Sequence, residues 1–259
     1  MSKKPLHVAF LWHMHQPDYR NSLTGATHLP WTRFHAIKDY YDMGALVEKI
    51  DGVHATINVV PSLMDQLVAY ADGSARETYA EATLRDASEL NDHEKLFLLR
   101  SFFQLSPKHM LHPYSRYEEL LQRRGEADET GAYSNGLKLY SVQDYRDLQV
   151  WYNLSWCGRE LRRDPEIAAL LQQGRGFSES DKRRLLEIQY AFIGQILPYY
   201  RRLSDRGSWS PGASRGNIFY SRSGGRERSR TIPVFRIFEG SYGPLGAGPA
   251  GVDRLEIDE

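Results

Sequence analysis

Two short apolar runs near the N-terminus are each followed by a helical pattern. The runs from His7 to Trp12 and from Ala55 to Val60 are rich in strand-forming residues, as expected for strands buried on both faces of a parallel sheet. Apolar residues recur at helical spacing over 36–50, and Pro61 suits the first turn of the next helix. This strand–helix–strand–helix order predicts an α/β fold with a parallel sheet.

The pattern from residue 61 to residue 206 is helical and contains no further convincing strand. Three positions have the polar residues of helix N-caps or capping boxes: Asn91 or Asp92, Ser141 with Asp144, and Ser178 with Asp181. In the last of the predicted helices, an apolar face continues to about Leu203, and Gly207 is a suitable stop. We therefore expect a large helical region after the second strand.

The character of the chain changes at Ser208. Residues 208–259 hold 9 of the 21 glycines and seven arginines, but only two leucines and no lysine. Val234 to Phe238 has the composition of one short strand. The rest lacks the apolar residues that would offset the entropy lost on ordering. We expect 1–207 to be the structured region and 208–259 to be a poorly ordered tail.

Charge and composition exclude several classes of protein. The chain has 33 basic and 33 acidic residues and a pI near 7.1, so no overall field attracts nucleic acid or an anionic membrane. No run approaches the ~20 apolar residues of a membrane helix. The apolar run from Val8 to Trp12 is too short for a signal peptide. Cys157 is the only cysteine, predicts no internal disulfide and is interpreted as a buried packing residue. Together these features favour a cytoplasmic protein.

The densest group of chemically versatile side chains follows the first predicted strand directly. It comprises His13, His15 and Gln16. Ligands of parallel α/β folds bind at the carboxyl ends of the strands, and imidazole and amide groups can each donate to or accept from a sugar hydroxyl. The alternative is that the histidines only cap the strand end and bond to backbone groups.

The spacing of His13 and His15 also raises the possibility of a metal site. A metal ion would also need a third protein ligand besides the two imidazoles. His28, His35 and His54 are available, but no second ligand motif has a recognisable spacing. We therefore expect neither a metal nor a cofactor.

Several segments together resemble glycoside hydrolase family 57, in particular its α-amylase-like branch. They are His13–Pro17 (HMHQP), 29–43 (LPWTRFHAIKDYYDM), Asn58–Leu63 (NVVPSL), Trp151–Leu154 (WYNL) and the helix over 181–207. His-Gln-Pro alone is a weak signal, whereas the segments taken jointly are specific. The similarity extends over about residues 6–207.

The resemblance implies a (β/α)7 barrel in which the helical region 61–206 is inserted between the second and third strands. It also implies retaining chemistry on an α-glucan or maltooligosaccharide: hydrolysis, branching or glucanotransfer. By the same resemblance, His13 and His15 contact the sugar near subsite −1. Gln16, Trp31 and Asn58 are expected to line the cleft as further substrate-binding residues.

No residue in 212–259 matches the nucleophilic glutamate or the acid/base aspartate of the family, so no catalytic residue is predicted. We expect a catalytically incomplete portion of such an enzyme, with a barrel that is not closed. A reading-frame change near residue 207 explains this, because Ser208-Trp209-Ser210 read one base earlier encodes Gln-Leu-Glu if both serines use AG-type codons. A non-catalytic sugar-binding module and a metal-dependent polysaccharide deacetylase-like hydrolase remain as alternatives. The oligomeric state stays open.

Overall fold

The computed structural model describes residues 11–50, 55–129, 131, 133–207 and 218–219. The strands are β1 (Leu11–Met14), β2 (Ala26–Thr27), β3 (Thr56–Val59), β4 (Arg76–Glu77) and β5 (Ile218–Phe219). The helices before residue 111 are α1 (Trp31–His35), a π-helix (Ala36–Tyr40), α2 (Tyr41–Lys49), α3 (Pro61–Ala71), α4 (Thr78–Leu84), α5 (Asp92–Ser101) and α6 (Pro107–Met110). Those that follow are α7 (Ser115–Arg124), α8 (Ser134–Leu139), α9 (Val142–Ser155), a 3₁₀ turn (Leu161–Arg163), α10 (Pro165–Gln173) and α11 (Glu179–Gly207).

The main sheet is parallel and has the order β1-β3-β5. His13 pairs with Asn58 in the register of β1 and β3, and Asn58 pairs in turn with Phe219 of β5. Both predicted strands are confirmed, although positions 7–10 of the first lie outside the described residues. The described strands form no closed barrel, and the fold is a mostly helical α/β structure.

Three short strands, β2, β4 and β5, lie where none was expected. β4 falls within 61–206 and pairs in parallel with β2 in a separate two-stranded sheet. Two residues are too few to show an alternating pattern, so this pair left no signal in the sequence. β5 falls within 208–259, while Val234 to Phe238 and the rest of that segment lie outside the described residues. The expected disorder there stays a prediction.

All three predicted helix caps are confirmed. Asn91 accepts a hydrogen bond from the backbone N–H of Glu94, and the glutamate accepts one in return, which makes a capping box. The same reciprocal bonds join Ser141 to Asp144 and Ser178 to Asp181. Each cap satisfies backbone donors that have no partner within the helix, and so fixes where α5, α9 and α11 begin. α3 begins at Pro61, as predicted.

The helix predicted over 36–50 begins earlier and is interrupted by a wide turn. It starts with α1, passes through the π-helix and continues as α2 to Lys49. The loop after α9 crosses the π-helix closely: the Gly158 N–H donates to the Ile37 carbonyl oxygen at 3.0 Å. A Cβ atom at Gly158 would lie 2.5 Å from the carbonyl oxygen of Lys38, so only glycine fits this crossing.

A fully buried arginine in α1, between β1 and β3 along the chain, joins this helix to the helical region. Arg33 makes two hydrogen bonds to Glu77, at 2.7 and 2.9 Å, and one each to Asn153 and Gln189, at 2.7 and 2.6 Å. Tyr70 donates to the same glutamate at 2.7 Å. Burial disfavours the charged guanidinium, but the attraction to Glu77 outweighs it and raises the pKa of Arg33. The network thus connects α1 to β4, α3, α9 and α11.

Long-range packing of the helices surrounds this network. α11 lies against α3, α9, α2 and the π-helix. The predicted apolar face of α11 is confirmed: Leu185, Ile188, Phe192 and Ile196 are all buried. Cys157 is also buried, as predicted, and burial raises the pKa of its thiol to about 12, so the group stays an uncharged packing residue.

Candidate functional site

Three of the predicted site residues meet at the carboxyl ends of β1 and β3. His13 is in β1, His15 follows one residue after the strand ends, and Asn58 is the partner of His13 in the sheet register. Residues two positions apart on an extended chain share one side of it, and the two imidazole rings lie on one side with a centroid separation of 5.7 Å and an interplanar angle of 11°. Both histidines are exposed, while Met14 between them is buried.

A hydrogen bond from Asn58 orients the first imidazole. The Asn58 Nδ2 group donates to His13 Nδ1 at 2.8 Å. An imidazole that accepts at Nδ1 carries its proton at Nε2 when it is neutral, so His13 presents an N–H donor away from Asn58. Asn58 Oδ1 is buried and has no hydrogen-bond partner among the described residues. The amide therefore serves chiefly to hold the ring.

Gln16 anchors the loop that carries the histidines. Its side chain is buried and bonds twice: Nε2 donates to the Tyr40 hydroxyl at 3.0 Å, and Oε1 accepts from the Tyr19 hydroxyl at 2.8 Å. Its carbonyl oxygen accepts from Ser62 Oγ at 2.8 Å. Burial raises the pKa of Tyr40 to about 12, so this hydroxyl is neutral at ordinary pH. These bonds tie the loop to the π-helix and to α3.

Trp31 lies in a different aromatic group. Its ring is half-buried and contacts Trp156 and Phe34, with centroid separations of 5.9 and 6.5 Å. Phe34 stacks on Trp156 at 4.6 Å with an interplanar angle of 3°. The ring contacts of Trp31 among the described residues do not include His13 or His15, so its predicted place in the cleft stays a prediction.

A hydrogen-bonded group of polar side chains on the π-helix and the helical turn before it was not predicted from the sequence. His35 Nδ1 lies 2.7 Å from Asp39 Oδ2, and Lys38 Nζ donates to Asp39 Oδ1 at 2.5 Å. Burial raises the pKa of Asp39, but the hydrogen bonds from His35 and Lys38 outweigh this and lower it overall. Tyr40 links this group to the loop, because its ring lies 6.3 Å from that of His35 and its hydroxyl bonds to Gln16.

Among the described residues, no group of three or more His, Cys, Asp or Glu side chains is arranged to hold a metal ion. None of the helices in the described ranges is both long enough and apolar enough to cross a membrane.

These features define an α/β protein with a group of exposed polar side chains at the carboxyl edge of a parallel sheet, the edge at which ligands of such folds bind. Residues 9–210 match the family described as glycosyl hydrolase family 57. The chain therefore belongs to glycosyl hydrolase family 57, which confirms the resemblance noted in its N-terminal segments. No curated protein and no solved structure matches the chain. The family indicates a glycoside hydrolase or glucanotransferase role in carbohydrate metabolism.

Proposed function

We propose that His13 and His15 hold a sugar unit of an α-glucan or maltooligosaccharide. The observation that carries this proposal is the pair of near-parallel exposed imidazoles, 5.7 Å apart, at the carboxyl edge of the sheet. Because Nδ1 of His13 accepts from Asn58, this ring offers its Nε2–H when neutral, whereas a neutral His15 offers one donor and one acceptor to sugar hydroxyls. Family membership supports a carbohydrate as the ligand.

The bonds around the pair supply the preorganisation that a weak polar site needs. Asn58 fixes the His13 ring, and Gln16 fixes the loop that carries His15. Side chains held before binding lose less entropy when the ligand arrives. In this proposal Asn58 and Gln16 position the imidazoles, and Trp31 adds an aromatic wall farther along the cleft.

The parallel pairing of β1 with β3 supports a placement of these strands as the first two of a (β/α)7 barrel. In that arrangement 61–206 is the insertion before the third strand. The proposal keeps the sheet edge as the place where the sugar binds, because every strand of a parallel barrel ends at the same rim.

Retaining cleavage of a glycosidic bond needs two carboxyl groups about 5–5.5 Å apart, one as nucleophile and one as acid and base. Within the described residues, the contacts of His13 and His15 are with Asn58 and with each other, and none is with a carboxylate. No residue in 212–259 matches the family motifs that carry those groups. We therefore propose that this chain binds glucan without cleaving it.

Titration with maltoheptaose tests the binding step. We expect His13→Ala and His15→Ala each to weaken binding about tenfold, or about 1.4 kcal/mol, because each removes a bond to a sugar hydroxyl. His109→Ala is the matched control, since His109 is an exposed histidine of α6. Equal affinities for all four proteins would contradict the sugar site.

Product release from maltoheptaose tests the absence of cleavage. We expect the purified full chain to release reducing sugar at the rate of the blank. Turnover well above the blank, abolished by His13→Ala, would show that carboxylates of this chain complete the site and would overturn this part of the proposal.

A further inference from the structure

A cavity of about 420 Å³ lies among residues that do not belong to the histidine site. It is lined by Tyr41 at the start of α2, by residues between 160 and 164 around the 3₁₀ turn, and by the middle of α11. Leu161, Ile188 and Phe192 contribute an apolar floor, each less than a tenth exposed. The half-buried ring of Tyr41 lies beside them, 4.7 Å from that of Phe192.

The rim of this cavity is rich in charges that already have partners. Arg163 pairs with Glu160 at 2.8 Å, and Arg184 pairs with Glu187 at 3.2 Å and with Glu166 at 2.5 Å. A ligand of either sign would have to compete with these pairs. The paired groups still keep unused acceptor lone pairs and N–H donors, so the rim can exchange hydrogen bonds without favouring a net charge.

One amide on the rim has no competing bond. Gln195 is exposed and lines the cavity, and it has no hydrogen-bond partner among the described residues. An amide offers both donors and acceptors. The cavity thus combines an apolar and aromatic floor with a polar rim of balanced charge, and its size is within the range of pockets for small ligands.

We propose that this cavity is a second binding site for a neutral sugar unit of an oligosaccharide, remote from the histidine site. The C–H face of the sugar lies on Tyr41 and Phe192, and its hydroxyls bond to Gln195 and the rim charges. This assignment rests on the proposed function for the identity of the ligand, but it uses none of the residues of that site. It gives the chain two separate contacts with one class of ligand.

Methyl NMR of isoleucine-labelled full-length protein observes the two sites separately. Ile188 lies in the floor of the cavity, and Ile57 lies next to Asn58 in β3. The two signals are identified by their loss in Ile188→Val and Ile57→Val. On titration with maltoheptaose we expect both signals to shift and to saturate, each along its own curve.

A pair of alanine-to-arginine variants tests the cavity itself. Ala191 is exposed and lines it, so Ala191→Arg places a long side chain over the floor. Ala169→Arg makes the same change at an exposed helical alanine of α10 that does not line it. We expect Ala191→Arg to abolish the Ile188 shift and Ala169→Arg to preserve it. His13→Ala should also preserve it, while the Ile57 shift should then saturate only at about tenfold higher maltoheptaose concentration.

The outcomes separate the two proposals. An Ile188 signal that does not move with maltoheptaose, or that moves equally in Ala191→Arg, overturns the second site while the Ile57 shift can still support the first. An Ile188 shift lost only in Ala191→Arg, with no shift of Ile57, supports the cavity and contradicts the histidine site. If neither signal moves in the wild-type chain, both proposals fail.

Discussion

The helical region and the main sheet satisfy their polar groups in opposite ways. In 61–207, charged groups such as Lys182 and Asp147 are buried and bonded, and three helices begin with capping boxes. The sheet has strands of four, four and two residues, and its carboxyl edge exposes His13 and His15. The helices therefore hold the fold together, and the sheet edge presents polar side chains to solvent, where the proposed sugar site lies.

The largest effect is expected at the buried network that connects α1 to the helical region. Arg33→Ala leaves Glu77 charged and buried without its partner, and we expect it to lower the free energy of unfolding by roughly 3–5 kcal/mol. Urea denaturation followed by circular dichroism measures this. The control is Arg20→Ala, which removes an exposed pair with Asp18 and should cost less than about 1 kcal/mol. Similar losses of unfolding free energy for both variants would show that the buried network stabilises the protein no more than an exposed ion pair does.

At two glycines we expect substitution by alanine to change the stability of the protein in opposite directions. Gly158→Ala forces a Cβ against the backbone of the π-helix, and we expect a loss of roughly 1–3 kcal/mol. Gly194 lies within α11, where an added Cβ would meet Ala71 at an ordinary 3.5 Å. Gly194→Ala should therefore stabilise the protein by up to about 1 kcal/mol through helix propensity. Melting temperatures that move in the same direction would contradict this.

Acid should weaken the helical region through Asp144. Burial raises the pKa of this carboxyl, but hydrogen bonds from Ser141 and Arg116 outweigh it and lower the pKa. A lowered pKa contributes stability that is present above the unfolded value near 3.9 and is lost as pH falls through the folded value. We expect Asp144→Asn to lower the free energy of unfolding by roughly 1 kcal/mol at pH 7. Its stability, followed by thermal unfolding, should vary less between pH 5 and 3 than that of the wild type.

The exposed control for that measurement is Asp65→Asn on α3. It should follow the wild-type curve over the same pH range. If Asp144→Asn also follows that curve, the cap and ion pairs of Asp144 contribute no pH-dependent stability.

The smallest effect is expected at the sheet edge. His13 is exposed and makes its hydrogen bond to Asn58 at the surface, so His13→Ala should change the free energy of unfolding by less than about 0.5 kcal/mol. Urea denaturation alongside Arg33→Ala measures the contrast. A loss of unfolding free energy above about 1.5 kcal/mol would show that His13 stabilises the fold, which contradicts the contrast between the sheet edge and the helical region.

Features encoded in a few neighbouring residues were predicted well. The caps at Asn91, Ser141 and Ser178 are local bonds over three positions, and the two apolar runs gave β1 and β3. The histidines were predicted to follow the first strand, but His13 lies within β1 and only His15 follows it. Their side chains share one side, as those of residues two positions apart on an extended chain do.

Interactions between residues far apart in the chain could not be predicted from the pattern of hydrophobic and polar positions. Arg33 and Glu77 are 44 positions apart, and the chemistry of each residue alone suggests a solvated surface charge. The bond between Gln16 and Tyr40 spans 24 positions, so its anchoring role emerges only from the fold. The amide of Gln16 bonds to Tyr40 and Tyr19, and its predicted contact with a sugar stays a prediction.

The wide turn at Ala36–Tyr40 has a geometric consequence for the whole segment. A π-type turn holds one residue more than an α-helical turn, which rotates everything beyond it by about 100° relative to a continuous α-helix. That rotation sets the direction of Arg33 in α1, which meets Glu77, relative to Tyr40 and Tyr41, which meet Gln16 and Phe192. Deleting one residue there would restore a regular helix but turn α1 by about 100° relative to α2, so that the two helices could not both keep these contacts.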